Sequence, residues 1–162
     1  MVLNVRFAAI NKNDFINGEG VCVSLWMQGC PHHCKGCHNP EQWSFEGGQE
    51  APATAVLEEI MSALVANGIQ RNLSVLGGEP LCPENFEYSL YIIDWVKATF
   101  PNIKVYVWTG YELEELKQMY NIDKLKNIDV LITGRFILEE RDITLKLRGS
   151  KNQRILYKGT DF

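Results

Sequence analysis

Short apolar stretches alternate with amphipathic helical patterns along most of this chain, and this order constrains the fold more than any other feature. Strand, helix and strand in succession favour a mainly parallel sheet whose strands are joined by crossover helices. A closed barrel of eight such units typically needs about 250 residues, whereas this chain has 162. We therefore predict an α/β fold that forms a partial barrel or an open, curved sheet.

The individual elements follow from hydrophobic periodicity. Strands are predicted at residues 3–10, 21–27, 72–76, 103–108, 128–132 and 154–158. Helices are predicted at residues 53–66, 83–99 and 112–120. Asn67 and Gly68 are suited to ending the first helix. We find no internal repeat and no linker rich in Pro, Gly or Ser, so a single domain over residues 1–162 is expected.

Composition excludes several function classes. The formal net charge is −4, and there is no run of five or more Lys or Arg, so nucleic acid and an anionic membrane are poor candidates for a partner. The N-terminal residues do not resemble a signal peptide, and no apolar run reaches the length of a membrane span. A cytoplasmic protein is expected, in which thiols stay reduced. The five cysteines then indicate metal or redox chemistry.

Glycine-containing turns follow the predicted strands. "GGEP" follows the strand at 72–76, "TGY" the strand at 103–108 and "TGRF" the strand at 128–132, and a cysteine-rich loop follows the strand at 21–27. Ligands of parallel sheets gather beyond the carboxyl ends of the strands. The sequence therefore predicts that these four segments share one site.

Three cysteines, Cys30, Cys34 and Cys37, lie within eight residues in the stretch "CPHHCKGC". Cysteine thiolates hold iron–sulfur clusters, and three ligands on a four-iron cluster leave one iron open to another molecule. The alternative is a zinc site completed by a histidine of the same loop, although no second ligand pair lies elsewhere in the sequence. We favour the cluster and expect the three histidines, His32, His33 and His38, to face solvent.

The two remaining cysteines do not fit the spacing of the loop. Cys22 lies within a predicted strand, and Cys82 lies two residues after "GGEP". Free cysteine is among the most buried residue types. We expect both side chains to be packed thiols without a role in metal binding.

The cysteine loop and "GGEP" together resemble the radical S-adenosylmethionine (SAM) superfamily. Gly36 stands before the third cysteine, where many members carry an aromatic residue, and this Gly-Cys pair resembles the branch that activates anaerobic (class III) ribonucleotide reductase. The resemblance covers residues 15–158 and includes "NGEG", "CHNP", "WTGY", "DVLITGRF" and "LRGSKNQR". It implies a partial, incomplete TIM-like barrel of the radical SAM type.

The resemblance also implies roles for individual residues. The ligands of a 4Fe–4S cluster would be Cys30, Cys34 and Cys37. The residues that contact SAM at the open iron would be Asn39, Gly77, Gly78, Glu79, Pro80, Thr109 and Gly110. Within this set, Gly77, Gly78 and Glu79 would receive the methionyl ammonium, and Pro80 would shape the turn. Thr109 and Gly110 would lie beside the carboxylate or the ribose.

The activity that the resemblance implies is the activation of a partner enzyme. One electron from the reduced cluster cleaves SAM to methionine and a 5′-deoxyadenosyl radical, which installs a glycyl radical on anaerobic ribonucleoside-triphosphate reductase. The implied partners are the glycyl radical subunit of that reductase and a one-electron donor such as flavodoxin or ferredoxin. The alternatives are a radical SAM enzyme with another target, and a zinc or iron–sulfur binding module without SAM chemistry.

The stretch "LRGSKNQR", residues 147–154, offers many hydrogen-bonding groups. One interpretation is a polar turn that leads into the last strand. The other is that Arg148, Asn152 and Gln153 hold the glycine loop of the partner or frame the SAM pocket, because these side chains carry donors suited to peptide carbonyls.

Overall fold

The computed structural model describes residues 3–162, which form one seven-stranded sheet with three α-helices. The strands are β1 (Asn4–Asp14), β2 (Cys22–Met27), β3 (Gln49–Pro52), β4 (Asn72–Gly77), β5 (Val105–Trp108), β6 (Val130–Thr133) and β7 (Arg154–Tyr157). The helices are α1 (Ala53–Leu64), α2 (Pro83–Thr99) and α3 (Leu113–Met119). All three predicted helices and all six predicted strands are present; α2 has the predicted bounds, and the other elements have shifted ends.

The sheet is mixed and open. Its strand order is β3-β1-β2-β4-β5-β6-β7. The pairs β2–β4, β4–β5 and β5–β6 are parallel, whereas β1–β2, β1–β3 and β6–β7 are antiparallel. Because β3 and β7 are free edges, the sheet does not close. The prediction of a mainly parallel sheet in a partial, incomplete TIM-like barrel is therefore wrong.

The reason for this difference lies in the connections. Parallel neighbours need a long crossover, usually a helix, whereas antiparallel neighbours can be joined by a loop. α1, α2 and α3 lie between β2 and β6 along the chain, and the strands they separate are parallel. Only a loop joins β1 to β2, and a segment without an α-helix joins β6 to β7. β3 was missed because "QEAP" is short and polar and shows no strand periodicity.

Each helix contributes an apolar face to one core. In α1 that face is Val56, Ile60 and Leu64, as the periodicity predicts. The helix ends before Asn67 and Gly68, which take φ values of 59° and 70°. Such left-handed conformations suit Gly and Asn, so the predicted stop is confirmed.

The second face of the sheet lies opposite this core. Along β5, Val105 and Val107 join the main core, while Tyr106 belongs to a smaller cluster with Val130 and Ile132. This alternation follows from the two-residue period of a strand. Trp108 packs against the smaller cluster. Within residues 3–162, no helix is both long and apolar enough to span a membrane.

Candidate functional site

A cavity of about 510 Å³ lies at the carboxyl ends of β2, β4, β5 and β6. Nine of the ten predicted site residues line it: Cys30, Cys34, Cys37, Asn39, Gly77, Gly78, Glu79, Thr109 and Gly110. The tenth, Pro80, is buried, and its carbonyl accepts a hydrogen bond of 2.8 Å from Ser89 Oγ. The four neighbouring strands are parallel, which brings their carboxyl ends to one edge.

The cysteine loop, residues 28–39, leaves the end of β2 and is held by the segment that follows it. Gly29 N donates to Gln42 O at 2.8 Å, and Cys30 N donates to Trp43 O at 3.1 Å. The buried Gln28 side chain donates to the carbonyls of Glu41 and Ser44. These bonds fix the loop at both ends, so that its thiols meet at the cavity.

The three thiols of this loop are partly buried. Burial raises the pKa of Cys30 to about 11 and raises the pKa of Cys34. A thiol must lose its proton to bind a metal, so ligand binding here would release protons. Within residues 3–162, no three His, Cys, Asp or Glu side chains are arranged as ligands of a single metal ion. The thiols share a cavity, which suits the three cysteine ligands of a multi-iron cluster.

The histidines of the loop divide into two kinds. His33 and His38 are exposed, as predicted, and the His33 ring stacks on Trp43. His32 contradicts the prediction, because its side chain is only 6% exposed and its Nε2 lies 2.8 Å from Glu79 Oε1. His32 is a site residue that sequence reasoning missed.

The two glycines of "GGEP" are needed where β4 approaches β2. Gly77 has a φ of 107°, and a Cβ there would lie 2.7 Å from the backbone N and O of Met27. A Cβ on Gly78 would collide with the carbonyl oxygen of Gly29. Glu79 N in turn donates to that carbonyl at 2.8 Å. The motif therefore packs the end of β4 directly against the start of the cysteine loop.

The Glu79 carboxylate is almost fully buried, at 1% exposure, and accepts four hydrogen bonds. Oε1 accepts from His32 Nε2 and from Gly110 N, the latter at 2.6 Å. Oε2 accepts from Thr109 Oγ1 and Leu81 N, both at 2.8 Å. One side chain thus joins the cysteine loop, the turn after β4 and the turn after β5.

The chain is similar to known proteins over most of its length. Residues 16–156 match the family described as a 4Fe-4S single cluster domain. The anaerobic ribonucleoside-triphosphate reductase-activating protein of Enterobacteria phage T4 is 42% identical over 158 residues, which cover 97% of this chain and 96% of that protein. The proteins of that name from Haemophilus influenzae and Escherichia coli K12 are 40% and 38% identical, and each match covers 86% of this chain and 90% of the relative.

The chain belongs to the family of anaerobic ribonucleoside-triphosphate reductase-activating proteins. These relatives confirm the predicted resemblance to the activating proteins of anaerobic ribonucleotide reductase. The match to the cluster domain confirms a 4Fe–4S domain. The chain spans nearly the full length of these relatives.

Gly36, which stands before the third cysteine, has a structural reason here. Its φ is 78°, and a Cβ would lie 2.8 Å from Leu138 Cδ1. Leu138 comes from the short 3-10 turn Leu138–Glu140 after β6. The space beside the third cysteine is therefore filled by a residue from another segment.

The polar stretch 147–154 forms a turn that its own side chains hold. Gln153 Oε1 accepts from Gly149 N and Ser150 N, and its Nε2 donates to Gly134 O at 2.9 Å. Arg148 Nη1 donates to Gln153 O at 2.7 Å, and Asn152 Nδ2 donates to Arg135 O at 2.8 Å. These contacts agree with the polar-turn interpretation. Arg148 and Gln153 also line the cavity, so a role toward a ligand or partner stays a prediction.

The cavity also has apolar and basic walls that sequence reasoning did not assign. They include Trp26, Leu76, Trp108, Arg135, Phe136 and Leu147. Trp108 Nε1 donates to Leu147 O at 2.7 Å, which joins the end of β5 to the polar turn. Their position at strand ends, within motifs such as "WTGY" and "TGRF", is the sequence feature that could have predicted them.

Proposed function

We propose that this protein is the activating enzyme of an anaerobic ribonucleoside-triphosphate reductase and that it uses a 4Fe–4S cluster and SAM. The ligands of the cluster are Cys30, Cys34 and Cys37. When bound, the cluster and SAM together supply a radical able to remove a hydrogen atom from a glycine of the reductase, which leaves a glycyl radical there. Such chemistry belongs to the cofactors, and the protein supplies binding, orientation and the exclusion of water.

One observation carries this proposal. Three thiols from a single loop and the turns after β4 and β5 line the same cavity. A metal site that leaves a position free can bind a substrate there. The cavity extends from the thiols to the two turns, and its volume of about 510 Å³ is in the range of small-molecule sites.

The residues of the chain have separate tasks in this proposal. Gly77, Gly78 and Glu79 form the wall that faces the methionyl ammonium, with carbonyl groups as acceptors and a buried negative charge behind them. Pro80 holds the turn from behind. Asn39, Thr109 and Gly110 lie on the other parts of the wall and offer polar groups to the carboxylate and the ribose.

The remaining walls exclude water and leave an entrance for the partner. Trp26, Leu76 and Trp108 give the cavity apolar sides, and a dry site protects a reactive radical from side reactions. The exposed side of the cysteine loop carries Lys35, where a one-electron donor such as flavodoxin or ferredoxin could approach the cluster.

Anaerobic reconstitution followed by metal analysis tests the cluster. The purified chain should hold about four irons and little zinc, as one four-iron cluster requires. Alanine at Cys30, Cys34 or Cys37 should abolish iron binding. Alanine at Cys22 or Cys82 should not, because both thiols are buried away from the cavity lining. Stoichiometric zinc in an active, iron-free protein would contradict the proposal.

A SAM cleavage assay separates the enzyme from a simple iron–sulfur module. The reduced, reconstituted protein should release methionine and 5′-deoxyadenosine from SAM. Mixed with an anaerobic ribonucleoside-triphosphate reductase, it should produce a glycyl radical signal in electron paramagnetic resonance. Cleavage without a radical on that reductase would indicate another target, and iron binding without cleavage would indicate a module that lacks SAM chemistry.

Arg148→Ala tests whether the polar turn serves the partner. If Arg148 contacts the glycine loop of the reductase, its loss should leave iron content and uncoupled SAM cleavage near normal and lower the glycyl radical yield. Loss of uncoupled cleavage as well would place Arg148 in the SAM pocket. Normal activation would leave Arg148 only its hydrogen bonds to the carbonyls of Lys151 and Gln153 within the turn.

A further inference from the structure

We propose that His32 is a positioning residue that fixes the Glu79 carboxylate and so ties the cysteine loop to the SAM-binding turns after β4 and β5. This inference rests on the proposed function, because it concerns how the same site is held together. It assigns to Glu79 a role through its position and charge, with no direct hydrogen bond to SAM.

Hydrogen bonds occupy the whole Glu79 carboxylate. An ionised carboxylate has about four acceptor sites, and protein donors occupy four in this structure. Glu79 is 1% exposed and cannot turn toward the cavity without losing one of them. An incoming ammonium would have to displace a donor from this side chain.

The four donors to Glu79 come from three segments of the chain. Leu81 N belongs to the turn after β4, and Thr109 Oγ1 and Gly110 N belong to the turn after β5. Only His32 comes from the loop that carries the thiols. Because a carboxylate can only accept, His32 Nε2 must carry the hydrogen of this bond. His32 is thus the side chain through which the cysteine loop reaches Glu79.

The imidazole of His32 fits closely between its neighbours. Its ring packs edge-on against Tyr111 with centroids 4.6 Å apart. A Cβ on Gly110 would lie 2.5 Å from His32 Cδ2, so the glycine of "TGY" leaves the space that the ring fills. The ring is held by Glu79, Gly110 and Tyr111, in contrast to the exposed His33 and His38.

The position of His32 between two of the cysteines determines what the loss of its contact with Glu79 would change. It lies two residues after Cys30 and two before Cys34. Its loss removes no thiol, so the chain should still hold iron. It does remove the side-chain donor that holds the middle of the loop in register with Glu79, Thr109 and Gly110. SAM must contact the open iron and these turns at once, so its affinity depends on that register.

The test compares three variants. His32→Leu removes the donor, His32→Gln keeps a nitrogen donor near the position of Nε2, and His33→Asn is the control in the same loop. Asn tolerates the φ of 49° at residue 33. The first readout is amide hydrogen exchange of residues 109–111 in the cluster-free chain. Exchange should rise about tenfold in His32→Leu, in line with the loss of one buried hydrogen bond to a charged group, and stay near wild type in the other two.

The second readout is made on the reconstituted protein. Iron content should match wild type in all three variants. The SAM dissociation constant should rise about tenfold in His32→Leu, be largely restored in His32→Gln, and not change in His33→Asn. Gly110→Ala provides an independent variant, because the added methyl group would push the His32 ring from its place. It should weaken SAM binding in the same way.

The outcomes separate this inference from the proposed function. Unchanged exchange at residues 109–111 and unchanged SAM affinity in His32→Leu would overturn the inference. Failure of His32→Gln to restore either readout would also overturn it, because packing alone would then explain the effect. A wild-type chain that holds iron and binds no SAM would contradict the proposed function, while exchange in the cluster-free chain would still decide the role of His32.

Discussion

Glycine is the residue type whose replacement the site tolerates least, because the backbone there lies very close to neighbouring atoms. Side chains at Gly77 or Gly78 would meet the backbone of β2 and of the cysteine loop, which cannot move aside cheaply. A side chain at Gly110 would meet the ring of His32. The glycines of "GGEP" thus act first on the packing of strand ends, and only through that packing on a ligand.

Gly36 allows a prediction at this scale. Gly36→Ala should lower the free energy of unfolding of the cluster-free chain by about 2 kcal/mol, measured by urea denaturation. Gly20→Ala should lower it by about 1 kcal/mol, because Gly20 has a similar φ of 68° but no atom within 4 Å of its Cβ position. The difference isolates the contact of Gly36 with Leu138. Measured against Leu138→Ala alone, the additional cost of Gly36→Ala should fall to that of Gly20→Ala. If it stays larger, the contact with Leu138 is not the cause of the difference.

The ends of the helices show how the elements are joined. The last turn of α1 contains no basic residue, and Arg71, which is 5% exposed and lies just before β4, supplies a cation there. Its Nη1 donates to the carbonyls of Ala63, Ala66 and Ile69, and its Nε donates to Asn13 Oδ1. A cation at the negative end of a helix is favourable. One buried guanidinium therefore joins α1, β4 and β1.

Removing Arg71 should destabilise the chain strongly. Arg71→Met should lower the free energy of unfolding by about 3 kcal/mol, because one buried and two part-buried carbonyls lose their donor. Arg71→Lys should lie between wild type and Arg71→Met, since an ammonium cannot reproduce the forked guanidinium geometry. Arg141→Met, at an exposed arginine, is the control and should stay within about 0.5 kcal/mol. Equal midpoints in urea for Arg71→Met and the control would contradict this account.

The start of α3 gives a pH-dependent prediction. The side-chain hydrogen bonds from Arg135 lower the pKa of Glu115 to about 2, and Glu112 N also donates to this carboxylate. Because its pKa is lower in the folded state, the Glu115 carboxylate stabilises the chain at pH values above its ordinary pKa. That stabilisation is lost as the pH falls toward 2. Glu115→Gln should therefore cost about 1 kcal/mol at pH 7 and progressively less below pH 4.5.

Urea denaturation of Glu115→Gln and wild type at pH 7 and at pH 3 measures this difference. The exposed Glu139, substituted as Glu139→Gln, is the matched control and should show no pH-dependent difference. A difference between Glu115→Gln and wild type that grows on acidification would reverse the predicted sign and contradict the ion pair as its origin.

At the scale of the whole molecule, the site is assembled from segments far apart in the chain. The cavity takes residues from the loop after β2, from the turns after β4, β5 and β6, and from the polar turn before β7. No single element therefore forms most of the cavity wall. A ligand that binds there must contact several segments at once and should stabilise all of them together.

Cofactor binding should therefore protect distant segments in a coordinated way. Reconstitution with iron and sulfide, followed by addition of SAM, should raise the melting temperature and slow hydrogen exchange at residues 30–39, 77–80, 109–111 and 134–136. Residues 65–70, beyond α1, should not change, since they lie outside the cavity lining. Cys34→Ala treated in the same way should show no protection. Protection confined to residues 30–39 would mean that the cavity is not one site.

Much of the candidate site was accessible from the sequence. Parallel strands bring their carboxyl ends to one edge, so the motifs after β2, β4, β5 and β6 could be predicted to meet, and they do. His32 could not be predicted in the same way. Its partner Glu79 lies 47 residues away, and a histidine in a polar loop looks like a solvent-facing residue until that contact is known.

The sequence by itself determined which segments form the three helices and six of the strands, because apolar periodicity is a local property that each segment carries. It also determined the chemistry at the strand ends, because that chemistry depends on residue type and spacing. Only the tertiary structure decided that β1, β3 and β7 run antiparallel to their neighbours and leave the sheet open. Strand direction depends on how a connecting segment packs back on the sheet, and pairing between distant residues leaves no mark in a local pattern. The burial of His32 against Glu79 has the same physical origin.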